Sequence, residues 1–111
     1  MAGSSVHAPL FPVPVGATLV SLLGSGSVCR VARVRVGGRD VACKRLLPHL
    51  RDVDEAKRTL LREARALELA RHPSVPALAG VGSDAAGPFV LESVVEGVSL
   101  RALKQYWSGS V

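Results

Sequence analysis

The stretch "RVRVGGRDVACKRL", residues 33–46, decides the fold. Two runs in which apolar and charged residues alternate flank Gly37-Gly38. Alternation has the period of a strand, and a glycine pair between two such runs favours a tight two-residue hairpin turn. That turn pairs Val36 with Arg39, which sets Val31 opposite Lys44 and Arg33 opposite Ala42. Opposed residues share a face of the sheet, as do residues two apart on one strand. Val31, Ala42 and Lys44 are therefore expected on one side, provided the hairpin has no bulge, since a slip of one residue would turn a strand over. Lys44 is the anomaly. It follows Val41, Ala42 and Cys43, and an ammonium group in that company is costly unless paired.

Working outward, residues 17–23 (ATLVSLL) are an apolar run that stops at Gly24-Ser25-Gly26. The alternating run covers Val28 to Val36, and the next covers Arg39 to Leu47 and closes at Pro48. From Val53 the period changes. Apolar residues recur at Ala56, Leu60, Ala64 and Leu67, the spacing of a helix face. Asp52 is the expected N-cap, and acids at 54 and 55 suit the positive end of the helix dipole. His72-Pro73 ends the helix. Two short apolar segments follow, 77–81 and 89–95, separated by a polar turn over 82–87, and Leu100 to Trp107 begins a second helix. This order predicts an α+β fold, a twisted five-stranded antiparallel sheet with one long helix packed on it.

At about 100° per residue, Glu63 falls roughly 60° from the centre of the helix stripe and so borders the buried face, unlike Arg62 or Lys57. A carboxylate there and an ammonium at Lys44 would satisfy each other. By position alone the plainer reading is that both reach out to solvent along their alkyl stems.

Composition narrows the classes of function. The 111 residues are 48% hydrophobic and 21% charged, which suits one domain with one modest core. A net charge of +5 and a pI near 10.0 would suit an anionic partner. Acids and bases alternate along the middle of the chain, however, as on a solvated mixed face. A nucleic-acid module with Arg30, Arg33, Arg35 and Arg39 as its patch is disfavoured, because aromatic residues for base stacking total only 4%. No run is long and apolar enough to span a bilayer, and the N-terminus lacks a secretory pattern. Cys29 and Cys43 do not have metal-site spacing, and an intracellular, cytoplasmic protein with reduced thiols is expected. Residues 1–16, with prolines at 9, 12 and 14, read as a flexible lead-in to a domain over 17–111.

The glycines admit rival readings. In a dinucleotide-binding fold they would open a helix, whereas a strand follows here, and a P-loop needs a Gly-Lys-Ser/Thr that is absent. The run from Leu23 through Gly24, Ser25, Gly26, Ser27, Val28, Cys29 and Arg30 to Val31, followed by Val41-Ala42-Cys43-Lys44, resembles the nucleotide-binding lobe of a eukaryotic-type protein kinase. "REARALELARHPSVPALAGV" resembles the C helix and the strand after it in that family, with Glu63, Leu67 and His72-Pro73 at the matching places. "FVLESVVEGVSLRAL" is similar to the fifth strand, the hinge and the start of the next helix. "HPSVPALAG" and "EGVSL" hint at the tyrosine-kinase-like group. The resemblance covers about residues 17–106, in the family's order.

The resemblance implies a kinase N-lobe, truncated after the hinge, that binds ATP. Glycine-loop backbone N–H groups, from Gly24 to Cys29, would approach phosphate oxygens. Leu23, Val31 and Ala42 would sandwich adenine, and Lys44 would hold the α- and β-phosphates, kept in place by Glu63. Leu91 would close the back of the pocket, and backbone groups of Glu92 and Val94 would meet the adenine edge. Leu67 and Leu78 would support the helix.

The sequence also departs from the family. Cys29 stands where the loop has its third glycine and would face the phosphates, Val28 replaces the usual aromatic at the loop tip, and Arg33 on the pocket face has no evident role. Gly97-Val98-Ser99-Leu100 sits one residue away from the commonest hinge spacing, which separates Ser99 from a ribose contact. No His-Arg-Asp and no Asp-Phe-Gly occur in the 111 residues. Those segments carry the base and the Mg²⁺ ligands, so Mg²⁺ and a protein substrate belong to a full-length parent, and these residues alone are expected to be inactive. The alternative is a short non-catalytic product that binds nucleotide or a partner.

Overall fold

The glycine pair turns the chain as its composition dictates. Gly37 and Gly38 have φ values of 58° and 80°, the left-handed pair of a type I′ turn, whose twist matches that of the flanking strands. The computed structural model describes residues 11–70 and 76–94. Around the turn, β2 (Cys29–Val36) and β3 (Arg39–Leu46) pair without a slip, with Val31 opposite Lys44 and Arg33 opposite Ala42. β1 (Ala17–Ser25) pairs with β2 through two irregularities, one between Leu19 and Ser21 and one between Leu22 and Gly24. β4 (Leu78–Asp84) and β5 (Gly87–Ser93) form a second hairpin, and β5 adds to β3. The result is one antiparallel sheet in the order β1-β2-β3-β5-β4, with α1 (Asp54–Ala70) linking β3 to β4.

Two boundaries differ from the sequence expectation. A 3₁₀ turn over Pro48–Leu50 runs into α1, and the Val53 N–H is used by the Leu50 carbonyl at 3.0 Å. The Lys57 N–H then donates to the carbonyl of Val53 at 3.0 Å, so Val53 takes the cap position expected of Asp52. The polar turn expected over 82–87 contracts to Ala85-Ala86. Asp84 accepts the Ala86 N–H at 3.0 Å, and Gly87, at φ 102°, closes the turn. Gly82 lies inside β4 because its cross-strand partner Phe89 lies over it. A Cβ on Gly82 would come within 2.4 Å of that ring.

Each face of the sheet carries part of the core. On the α1 side, Cys29, Leu46 and Val90 pack with Leu60 and Ala64. On the other side Ala32, Val34 and Cys43 are covered by Phe11, only 2% exposed. The end of the lead-in, expected as flexible, is therefore part of the packing. Arg45 ties it down. Its Nε donates to the Pro12 carbonyl at 2.7 Å. Nη1 and Nη2 reach the two Asp84 oxygens at 3.0 and 2.7 Å, and Nη1 also reaches the Gly87 carbonyl at 3.0 Å. The guanidinium lies 4.9 Å from the Phe89 ring centroid. No helix among the described residues is long and apolar enough to cross a membrane. The expectations for residues 1–10, His72-Pro73, Ser99 and the Leu100–Trp107 helix lie outside the described residues.

Candidate functional site

The α1-facing side of the sheet answers the question raised by Lys44. Lys44 is 1% exposed and donates to the Glu63 carboxylate, itself 9% exposed. Neither side chain reaches for solvent. The pair forms because the β2–β3 register aims Lys44 at the helix, while Leu60, Ala64 and Leu67 bury the face of α1 that Glu63 borders. Taking both charges out of water is expensive, and mutual pairing is what makes it tolerable.

The same face of the sheet carries an apolar cluster where the resemblance puts the adenine slot. Val31 and Ala42 are buried and pack with Leu23 and Val94. Leu23 arrives there because the β1 irregularity between Leu22 and Gly24 re-aims the strand at that point. The glycine turn closes with the Gly26 N–H donating to the Cys29 carbonyl at 2.8 Å, leaving Ser25, Gly26 and Ser27 exposed. Gly26 has no positive φ, and a Cβ there would make only an ordinary 3.9 Å contact with the Cys29 carbonyl oxygen. The fold does not require glycine at 26. Close approach of a ligand would.

Three expected placements change. Val28 is not at the loop tip. It packs against the Cys29–Leu46–Leu60 cluster, and its carbonyl accepts the Leu47 N–H at 2.8 Å. Cys29 does not open onto phosphate either, because it is buried in the same cluster beneath α1. Burial pushes its thiol up to about 11, with Lys44 pulling the other way and Glu63 and Glu92 adding to the rise. Burial also pushes Cys43 up to about 12. Alkylation of both thiols at pH 8 should therefore run at least about a hundredfold slower in native protein than in urea. Comparable native and denatured rates would contradict this placement.

The third change is at β5. Leu91 pairs with Cys43 and packs on the Phe11 side of the sheet, away from Lys44, so it does not stand at the back of the slot. Glu92, 2% exposed, lies opposite Ala42 and shares the face of Lys44 and Val90.

Arg33 finds its role at the far end of the hairpin. Arg33 and Arg35 each donate through Nε to Asp40, both at 2.8 Å. The hydrogen bonds from Arg35, and then from Arg33, hold the Asp40 carboxyl below the usual carboxylate range. Two of the four arginines of the supposed nucleic-acid patch are thus engaged with an acid.

No protein-family model matches the chain, and no curated protein does. Solved structures do. The kinase domain of Mycobacterium tuberculosis PknI superposes with a TM-score of 0.57 at 26% identity, over 76% of this chain and 35% of that one. A point mutant of the same domain gives a TM-score of 0.58 with the same identity and coverage. The fold is a kinase-like N-lobe. The chain spans about a third of the solved kinase domains it matches.

Within this kinase-like lobe the apolar slot, the glycine turn and the Lys44–Glu63 pair share one side of the sheet. The Glu92 placement had a signal in the sequence. Moving the hinge alignment by one residue, so that Glu92 takes the place assigned to Leu91, removes the displacement noted at Gly97-Val98-Ser99-Leu100. Arg45 had none, because all its hydrogen-bond partners are 33 to 42 residues away.

Proposed function

We propose that this lobe binds ATP and is the nucleotide-binding part of a protein kinase. The observation that carries the reading is the buried Lys44–Glu63 pair beside the slot of Leu23, Val31, Ala42 and Val94. The donor set fits the nucleotide. Leu23, Val31, Ala42 and Val94 are all apolar, as a purine ring needs, and Lys44 supplies a fixed cation for phosphate oxygens. Glu63 holds Lys44 in place, and the exposed turn at Ser25, Gly26 and Ser27 lets the phosphates approach its backbone, the Gly26 N–H itself being engaged with the Cys29 carbonyl.

Among the described residues no cluster of three His, Cys, Asp or Glu could hold a metal ion. In protein kinases the catalytic base and the Mg²⁺ ligands lie on His-Arg-Asp and Asp-Phe-Gly segments, which these 111 residues do not contain. The 111 residues are therefore expected to bind nucleotide without transferring phosphoryl, in a reducing intracellular setting. The tyrosine-kinase-like assignment rests on "HPSVPALAG" and "EGVSL" alone, and the solved relatives do not add to it.

Calorimetric titration of the full chain with ATP tests the reading. Lys44→Met should weaken binding by about tenfold or more per folded molecule, the worth of one charge-assisted contact. Gly26→Ala should also weaken binding while its Tm stays within a few degrees of the parent, since that position tolerates a Cβ. Unchanged ATP affinity in both variants would reject the assignment.

A further inference from the structure

The outer face of the sheet, turned away from Lys44 and the adenine slot, carries a second concentration of charge. Arg30 is the register partner of Arg45 across β2 and β3, so two guanidinium-bearing residues stand opposite each other on one face. Like charges placed in this way are destabilising. Arg51, at the end of the 3₁₀ turn, comes to the same place, and the three arginines line one cavity of about 30 Å³.

The acids nearby do not balance them. No acid is among the described residues that line the cavity. Asp84 takes the Arg45 guanidinium, at 3.0 and 2.7 Å. Arg51 has only Asp52, at 3.9 Å and with that carboxylate 89% exposed, a pair that contributes little. The Arg30 side chain makes no hydrogen bond or ion pair with any described residue. Three cations against the one close acid, Asp84, leave an excess of two positive charges around the cavity. Arg45 also keeps a donor in hand. A guanidinium has five N–H groups and Arg45 uses four, so one N–H of Nη2 remains, on the edge it shares with Nε. Nε on that edge donates to the carbonyl of Pro12, which itself lines the cavity.

We propose that Arg30, Arg45 and Arg51 form a binding site for the phosphoryl group of a phosphoserine or phosphothreonine on a peptide partner. A phosphomonoester carries a charge of about −1.5 to −2 at pH 7 and three acceptor oxygens, which matches the excess. The cavity has room for roughly two water molecules, so it takes phosphoryl oxygens and leaves the rest of the ligand outside. There the exposed Pro12 and Pro48 offer an apolar rim to a peptide chain. A recess of this size suits a single phosphorylated side chain better than a membrane surface, which is met by cations spread over a broad face. The site is separate from the nucleotide reading, which concerns the opposite face of the sheet.

The test titrates the full chain at pH 7 with a short uncharged peptide carrying one phosphoserine, and with the same peptide carrying serine. The phosphopeptide should bind at least about tenfold more tightly, the factor that one charge-assisted hydrogen bond gives. Arg30→Gln and Arg51→Gln should each remove most of that preference. Neither side chain has a close acid to lose, so each variant should keep its Tm within a few degrees of the parent. Arg58→Gln, at an exposed position on α1, removes the same charge elsewhere and should leave binding within about twofold.

Equal affinity for the two peptides overturns the proposal. A preference that survives in both Arg30→Gln and Arg51→Gln overturns it too, as does an equal loss in Arg58→Gln, which would make net charge the cause. Inorganic phosphate, or phosphatidylcholine vesicles containing phosphatidate, binding as tightly as the phosphopeptide would assign the arginines to a free ion or a membrane and overturn the peptide assignment.

Discussion

Replacing Arg45 with methionine should destabilise the folded chain by about 3–5 kcal/mol, the range for breaking one side of a buried charged network. Four hydrogen bonds leave together, to the Pro12 carbonyl, the Gly87 carbonyl and both oxygens of Asp84. The strap that places Phe11 over Ala32, Val34 and Cys43 loses its anchor, and the β4–β5 turn loses the cation that holds Asp84. Urea unfolding of the two proteins at pH 7 measures the difference, and a loss below about 1 kcal/mol would show that the network is not mechanically important.

Asp84→Asn should cost less, because the guanidinium keeps Pro12 and Gly87 and the Asp84 side chain is 31% exposed. Its pH dependence has a definite sign. Hydrogen bonds from Arg45 hold the Asp84 carboxyl below its ordinary value. A group depressed in the folded state stabilises above its unfolded pKa, near 4, and that contribution is lost as pH falls through the folded value. The gap between parent and Asp84→Asn should therefore be full at pH 6 and close progressively below about pH 4.

The second large effect belongs to the ion pair. Lys44→Met leaves the Glu63 carboxylate in its buried place without the ammonium, and should cost about 3–5 kcal/mol at neutral pH. Lys44→Met/Glu63→Leu should recover more than half of that loss, because two apolar side chains meet where a lone charge stood. Additive losses in the double variant would show that the two groups do not share one buried environment. In the expected outcome the double variant regains stability without nucleotide affinity, which separates the pair's structural cost from its chemical use.

The parts of the site that were legible in the sequence are those fixed by local geometry. Gly37-Gly38 admits one tight turn, and a tight turn transmits its register along both strands. Val31, Ala42 and Lys44 could thus be placed on one face from the order of residues around the turn. Helical period brought Glu63 to the border of the buried stripe on α1, which is where it meets Lys44. The five strands and the helix followed from the change of period, because each element advertises its own repeat.

What the tertiary structure alone decided lies where no local turn carries the information. β3 and β5 are neighbours in the sheet but are joined in the chain only through α1 and β4, and β4 itself slips between Leu78 and Gly80. The parity of β5 is therefore set by packing, which turned Leu91 to the outer face and Glu92 to the inner one. The docking of α1 closed Cys29 into the core, and a chain segment more than thirty residues distant gave Arg45 its partner in Pro12. Pairing across long separations depends on the sum of all the contacts that close the loop, and no short stretch of sequence contains that sum.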